Sequence, residues 1–143
     1  MTKVVLIAAA DEQWGIGLKG RIPWSAPADL ARFRGRTMGK TVIMGLRTVE
    51  SLPNGLPGRR LVVASRKGVS IQEAIAGAAG DEEVFVAGGG EIYRAALPLV
   101  DMAEVTRIRG TFGCDAFMPD LAAAGWRIRR IVPGKVEVEE WTR

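Results

Sequence analysis

Glu83-Val84-Phe85-Val86-Ala87-Gly88-Gly89-Gly90-Glu91-Ile92-Tyr93 is a short apolar run, three consecutive glycines, and the opening of a helix that Pro98 stops after Leu97. Such a run, bounded by turn formers, reads as a strand buried on both faces. The same punctuation recurs along the chain. Val4–Ala10 and Thr41–Met44 are apolar runs, and Gly45 leads from the second into a short helix at Leu46–Leu52. Arg59–Ser65 and Ala103–Ile108 read as further strands, and Ile71–Ala79 as a helix ended by Gly80. Strands alternating with helices imply a parallel sheet covered on both faces. Trp126–Val132 and Val136–Trp141, joined through Pro133-Gly134, add an antiparallel hairpin. The expectation is an α/β fold: one domain over 1–143, with a mostly parallel central sheet flanked by helices and a C-terminal antiparallel hairpin. Asp11–Arg21 and Phe112–Pro119 read as loops, and Pro53–Gly58 as a turn-rich connection.

Composition narrows the chemistry. Apolar residues make up 48% of the chain and charged ones 25%, as in ordinary globular domains, and no apolar run approaches a membrane span. The chain has no histidine and one cysteine, Cys114, which excludes an intramolecular disulfide and the usual Cys/His zinc sites. Met1-Thr2-Lys3-Val4 passes straight into a strand, so a cytoplasmic protein without a secretion signal is expected. Residues 1–67 carry a net charge of +8 and residues 68–143 a net of −4. A basic half points to an anionic ligand. The basic residues are scattered and there are only one Tyr and four Phe, which suits a small phosphorylated or carboxylated molecule better than nucleic acid.

In sheets of this kind ligands bind outside the carboxyl ends of the strands. Gly88-Gly89-Gly90 stands at one such end, where missing side chains let a backbone approach a diphosphate; a tight turn would use the same glycines. Gly45-Leu46-Arg47-Thr48 repeats the arrangement with a guanidinium and a hydroxyl, and Ser65-Arg66-Lys67 adds a basic cluster after the third strand. Together these suit a dinucleotide with an extra phosphate, although each arginine alone reads equally as solvated surface. Asp11–Arg21 places Gly15, Gly17 and Gly20 among Trp14, Ile16 and Leu18, either as a flap closing over something apolar or as a loop pinned by Trp14.

With no histidine available, a carboxylate is the leading proton handler. Asp29 follows Ile22-Pro23-Trp24-Ser25-Ala26-Pro27-Ala28 and opens a helix on which Asp29, Leu30, Phe33 and Thr37 are expected to share a face. Arg32, Arg34 and Arg36 are expected mostly on the other sides. An acid among apolar residues is costly to ionise without a partner. An acid in a first helical turn also complements the helix dipole with no further role.

The order of these pieces resembles the dihydrofolate reductase family, from about Val4 to Trp141. The residues that carry the resemblance are Ile22-Pro23-Trp24 through Pro27-Ala28-Asp29-Leu30, Val42-Ile43-Met44-Gly45 with Thr48 and Glu50-Ser51, Leu56-Pro57-Gly58-Arg59, Ala87-Gly88-Gly89-Gly90 with Ile92-Tyr93, and Val105-Thr106. The resemblance is closest to bacterial members. It implies reduction of 7,8-dihydrofolate to tetrahydrofolate by NADPH, in support of one-carbon metabolism, by a monomer with no nucleic-acid or membrane partner. It also implies that Asp29, Trp24 and Thr106 form the catalytic group. Ile7, Ala8, Leu30, Phe33, Leu52, Leu56, Arg59 and Ala87 would complete the substrate pocket, Arg59 gripping the glutamate carboxylate. Ala9, Ile16 and Gly17 would cradle the nicotinamide. Gly45, Arg47 and Thr48 would hold one end of the diphosphate, and Gly88, Gly89, Gly90, Glu91, Ile92 and Tyr93 the other, next to Ala87. Ser65 and Arg66 would take the adenosine phosphate.

Leu46, Val49 and Ala87 depart from the family pattern, in which arginine, tryptophan and a larger residue are usual. Two other readings compete: the NADPH-dependent pyrimidine reductase of riboflavin synthesis, which shares the architecture, and a non-catalytic nucleotide-binding module. Neither accounts for the Pro-Trp…Asp29 segment.

Overall fold

The structure is a computed structural model that describes residues 2–52 and 54–143. In chain order its elements are β1 (Lys3–Ala10), β2 (Gly15–Gly17), α1 (Pro27–Thr37), β3 (Thr41–Gly45), α2 (Leu46–Glu50), β4 (Arg60–Ala64), α3 (Ile71–Gly77), β5 (Glu83–Val86), α4 (Gly90–Ala96), β6 (Met102–Arg107), β7 (Ala116–Phe117), β8 (Arg127–Val132) and β9 (Glu137–Thr142). Seven strands form one sheet in the order β4-β3-β5-β1-β6-β9-β8. The first five of these run parallel, while β9 pairs antiparallel with β6 and with β8. The expected α/β architecture is the observed one.

The unbroken apolar runs are explained by burial on both faces. Val4, Leu6, Ala8 and Ala10 of β1 enter the core that receives Ile71, Ala74, Tyr93 and Ala96 from α3 and α4. Val5 and Ile7 enter the other, with Val42, Met44, Phe85 and Met102, closed by Phe33, Val49, Leu52 and Leu56. Alternation along β1 thus feeds two cores at once. α3 begins with a reciprocal cap in which Ser70 Oγ accepts from Glu73 N (3.0 Å) and the Glu73 carboxylate accepts from Ser70 N (3.3 Å).

Three local expectations change. The loops at Asp11–Arg21 and Phe112–Pro119 contain β2 and β7, which pair antiparallel with Gly15 opposite Phe117 and Gly17 opposite Ala116. Segments of two or three residues, some 100 positions apart, are too short to show a strand period. Pro98 does not end the helical path but sits in a 3₁₀ turn at Leu97–Leu99, a first-turn position where a missing N–H is harmless. Arg32 and Arg36 turn toward the sheet rather than away from it. Both donate to Glu104 of β6, which is 5% exposed at its side chain, and Arg36 also reaches Glu83. The turn-rich connection after Leu52 is described from Asn54 onward; Met1 and Pro53 lie outside the described residues.

Candidate active site

Alternation along β6 aims Met102, Glu104 and Thr106 at the α1 side of the sheet. On α1, Asp29, Arg32 and Arg36 stand at i, i+3 and i+7, one stripe of the helix. The stripe docks on the strand in register: Glu104 receives the two guanidiniums and Thr106 receives Asp29. The Thr106 hydroxyl, fully buried, donates to Asp29 Oδ1 at 2.6 Å. Ala26 caps α1 without a side-chain bond and Pro27 opens it, so Asp29 lies in the first turn with its carboxyl directed at β6. Burial pushes the Asp29 carboxyl above the usual aspartate range, more strongly than the Thr106 hydroxyl and the Arg32 charge pull it down.

Phe33, Leu52, Leu56 and Ala87 pack against the core that contains Ile7 and Met44. Ala8 is buried, Ala9 is half-buried, and Leu30 is 62% exposed. Trp24 is half-buried and meets the Phe112 ring edge-on, with centroids 5.3 Å apart. Arg59 sits near the other end of α1, donating from Nε to the Pro57 carbonyl (3.1 Å) and from Nη1 to Thr37 Oγ1 (3.4 Å). Thr37 in turn donates to the Phe33 carbonyl, 2.8 Å away.

The glycine turns meet across the strand ends. Gly45 N–H donates to the Gly88 carbonyl at 2.8 Å, and Ala87 N–H to the Ile43 carbonyl at 2.9 Å. Thr48 Oγ1 lies 3.5 Å from where a Cβ on Gly89 would stand, and Ile92 Cγ1 lies 3.0 Å from the equivalent point on Gly45. A Cβ on Gly90 would lie 2.5 Å from the Phe117 carbonyl, so this glycine is required by close packing against β7. Tyr93 is buried beneath the turn: its hydroxyl donates to the Ile7 carbonyl at 2.7 Å, and burial, then the Asp29 charge, push its phenol upward. Arg47, Leu46 and Arg66 are exposed around this floor, and Arg66 pairs with Glu91 at 3.2 Å. Ser65 N–H closes its turn onto the Val69 carbonyl, 2.9 Å away. A side-chain-free floor ringed by guanidiniums and hydroxyls fits a phosphorylated dinucleotide.

Ile16 and Gly17 lie in β2, on the flap, and both are half-buried. Among the described residues there is no group of three or more acidic, Cys or His side chains placed to hold a metal, and no helix long and apolar enough to cross a membrane. Two parts of the site escaped sequence reasoning. Phe112 is an isolated aromatic in a glycine-rich loop, a pattern that gives no hint of the contact with Trp24. Glu104 had a signal, an acid two residues before Thr106 and flanked by the apolar Ala103 and Val105.

Fold and glycine floor together define a class, an α/β oxidoreductase of the dinucleotide-binding kind, and Asp29, held by Thr106, is a shielded carboxylate at its strand ends. The comparisons specify it further. A model of the family described as dihydrofolate reductase matches residues 3–139. Dihydrofolate reductase of Neisseria gonorrhoeae is 40% identical over 138 residues, covering 89% of this chain and 85% of that one. Dihydrofolate reductase type 3 of Salmonella typhimurium is 41% identical over 134 residues, covering 87% and 83%. The solved dihydrofolate reductase of Enterococcus faecalis, complexed with NADP(H) and RAB-propyl, superposes with a TM-score of 0.85 at 30% identity, covering 99% of this chain and 96% of that one. The chain belongs to the dihydrofolate reductase family and is an NADP-dependent oxidoreductase that reduces dihydrofolate.

Proposed function

We propose that the cleft along α1 is the folate site and that Asp29, Trp24 and Thr106 are its catalytic group. The observation that carries this reading is the Thr106–Asp29 hydrogen bond of 2.6 Å at the carboxyl ends of the strands, beside the glycine floor. Asp29 and Thr37 are eight residues apart, about 12 Å along a helix. That spacing gives the cleft a carboxylate at one end and the Arg59 guanidinium near the other. It suits a molecule with a hydrogen-bond-donating heterocycle at one end and a carboxylate at its far end. Phe33, Leu52 and Leu56 supply apolar wall between the two, with Leu30 at the mouth.

Asp29 accepts hydrogen bonds from the pterin amino group and ring N–H, while Thr106 fixes the orientation of its carboxyl. A negative charge in a shielded site favours positive charge nearby, so it raises the basicity of the bound heterocycle. N5 of the pterin takes its proton through water, and Trp24 walls the pocket and orients that water. The backbone carbonyls of Ile7 and Ala87 face the pterin amine, with Ala8 beside them. NADPH, when bound, supplies the hydride that reduces C6. Ala9, Ile16 and Gly17 hold the nicotinamide end. Gly45, Arg47, Thr48 and the segment Gly88, Gly89, Gly90, Glu91, Ile92, Tyr93 line the diphosphate, and Ser65 and Arg66 bind the adenosine phosphate. The enzyme acts as a single-domain cytoplasmic monomer on these small molecules, without a nucleic-acid or membrane partner. Adding dihydrofolate to protein and NADPH tests the assignment: NADPH absorbance falls in the wild type, and both substrates lose their hold when Asp29 and Arg66 are replaced in turn. An Asp29 variant with unchanged dihydrofolate turnover would remove the carboxylate from the site.

A further inference from the structure

Asp11, at the junction of β1 and the flap, has no part in the cleft, yet it is 1% exposed and carries a carboxylate. Its two oxygens serve two different segments. Oδ1 accepts from the backbone N–H of Gln13 (2.9 Å) and of Gly15 (2.8 Å), both on the flap. Oδ2 accepts from the backbone N–H of Phe112 (3.1 Å) and from the thiol of Cys114 (3.6 Å), both on the loop that carries β7. The fit is close: a Cβ on Gly15 would stand 2.6 Å from Cys114 Cβ and 3.0 Å from Asp11 Oδ1. Arg107 braces the same corner from behind, donating to the carbonyls of Asp11 (3.1 Å) and Glu12 (3.3 Å) with its guanidinium 4.1 Å from the Trp14 ring centroid. The flap leads from this corner to Ile16 and Gly17, and Phe112 leads to Trp24.

We propose that Asp11 is a positioning residue for the reaction: by tying the root of the flap to the Phe112–Cys114 loop, its carboxylate sets Ile16 and Gly17 against the cofactor site and Phe112 against Trp24. A carboxylate is suited to this because it accepts at both oxygens, and bonds to a charged acceptor are the strong ones. Asp115 fastens the flap further along, accepting from Lys19 N–H at 3.1 Å, but that contact is exposed and lies away from the root. The proposal rests on the placement of Ile16, Gly17 and Trp24 in the cofactor and pterin sites.

Asp11→Asn is the discriminating variant, since the amide keeps one acceptor for Gln13 and Gly15 and turns a donor toward Phe112. Amide exchange in the cofactor-free protein should show Gly15 still protected and Phe112 exchanging about tenfold faster or more, the equivalent of one lost charge-assisted bond. NADPH should bind about tenfold more weakly, with the KM for NADPH rising and kcat falling less. Unchanged Phe112 exchange, or faster exchange with unaltered NADPH affinity, would overturn the proposal. Wild-type turnover measured alongside separates this outcome from a failure of the functional reading. Should Asp11→Asn not fold, the wild type decides: Phe112 and Gly15 amides must be protected to similar degree, and a freely exchanging Phe112 sinks the tether.

Discussion

Asp29 sits where two demands on a side chain conflict. Burial penalises its charge, yet the proposed folate site needs that charge to hold a hydrogen-bond-donating heterocycle. Thr106 reconciles the two in part, because a hydroxyl donating at 2.6 Å stabilises the ionised form without neutralising it. The balance still lies above the ordinary aspartate value, and the sign follows. A carboxyl whose folded pKa is raised binds its proton more tightly in the native state. Its contribution to stability is therefore present below the unfolded value of 3.8 and is lost as pH rises through the folded value. Above that folded value the ionised Asp29 is a burden on the fold. Asp29→Asn keeps an acceptor for Thr106 and removes the charge. It is expected to raise the melting temperature at neutral pH while cutting kcat about 100-fold, with part of the loss recovered in acid, where the substrate arrives protonated. Melting curves and kcat on the same preparation check both halves, and a variant that lost stability along with turnover would contradict the account.

Beside the packing of Phe33, α1 is tied to the sheet by charged contacts. Its first-turn acid meets Thr106, and Arg32 and Arg36 meet Glu104 at 3.1 Å and 2.9 Å, while Glu83 gathers Arg36 and Lys40 at 3.2 Å and 2.8 Å. Removing Glu104 leaves two half-buried guanidiniums short of a partner. Glu104→Ala is expected to cost about 2–3 kcal/mol in denaturant unfolding, below the full value for a buried pair because Arg36 keeps Glu83. Glu83 sets the acid limit of the same element. The Arg36 hydrogen bonds, and behind them Lys40, hold its carboxyl at about 2 against an ordinary 4.5. A depressed carboxylate stabilises above its unfolded value and loses that contribution as pH falls, so stability should decline between 4.5 and about 2, and less steeply in Glu83→Gln. The elements themselves were largely legible in the sequence, because apolar runs ending in Gly45 or Gly88 leave few alternatives to a buried parallel strand. The docking stripe was not: it depends on which face of α1 meets β6, and three arginines within five residues read alike as solvated until Glu104 is placed beneath Arg32 and Arg36. β2 and β7 were hidden for a different reason, since each becomes a strand only by meeting the other.

Over the whole molecule, the strand order brings basic residues from the first half of the chain to the ends of β3 and β4, facing the glycine floor at the end of β5. Asp29 was visible as a candidate from its segment alone, and Thr106 only through the family resemblance, because the two are 77 positions apart and nothing local links them. Arg66 and Glu91 are where the proposed adenosine-phosphate contact would bear on cofactor choice. Their side chains are 88% and 72% exposed, so the pair is close to neutral for stability and can exchange at little cost when an anion arrives. A phosphate on the adenosine ribose offers Arg66 a doubly charged partner in place of one carboxylate oxygen. Arg66→Ala is therefore expected to weaken NADPH about tenfold and NADH less than about twofold. Because these charges face water, added salt should weaken NADPH binding more steeply than NADH binding in the wild type, and the two salt slopes should converge in Arg66→Ala. Titrations of both nucleotides at low and high ionic strength check this, and parallel losses for NADPH and NADH would move the phosphate contact to Arg47 or Lys67.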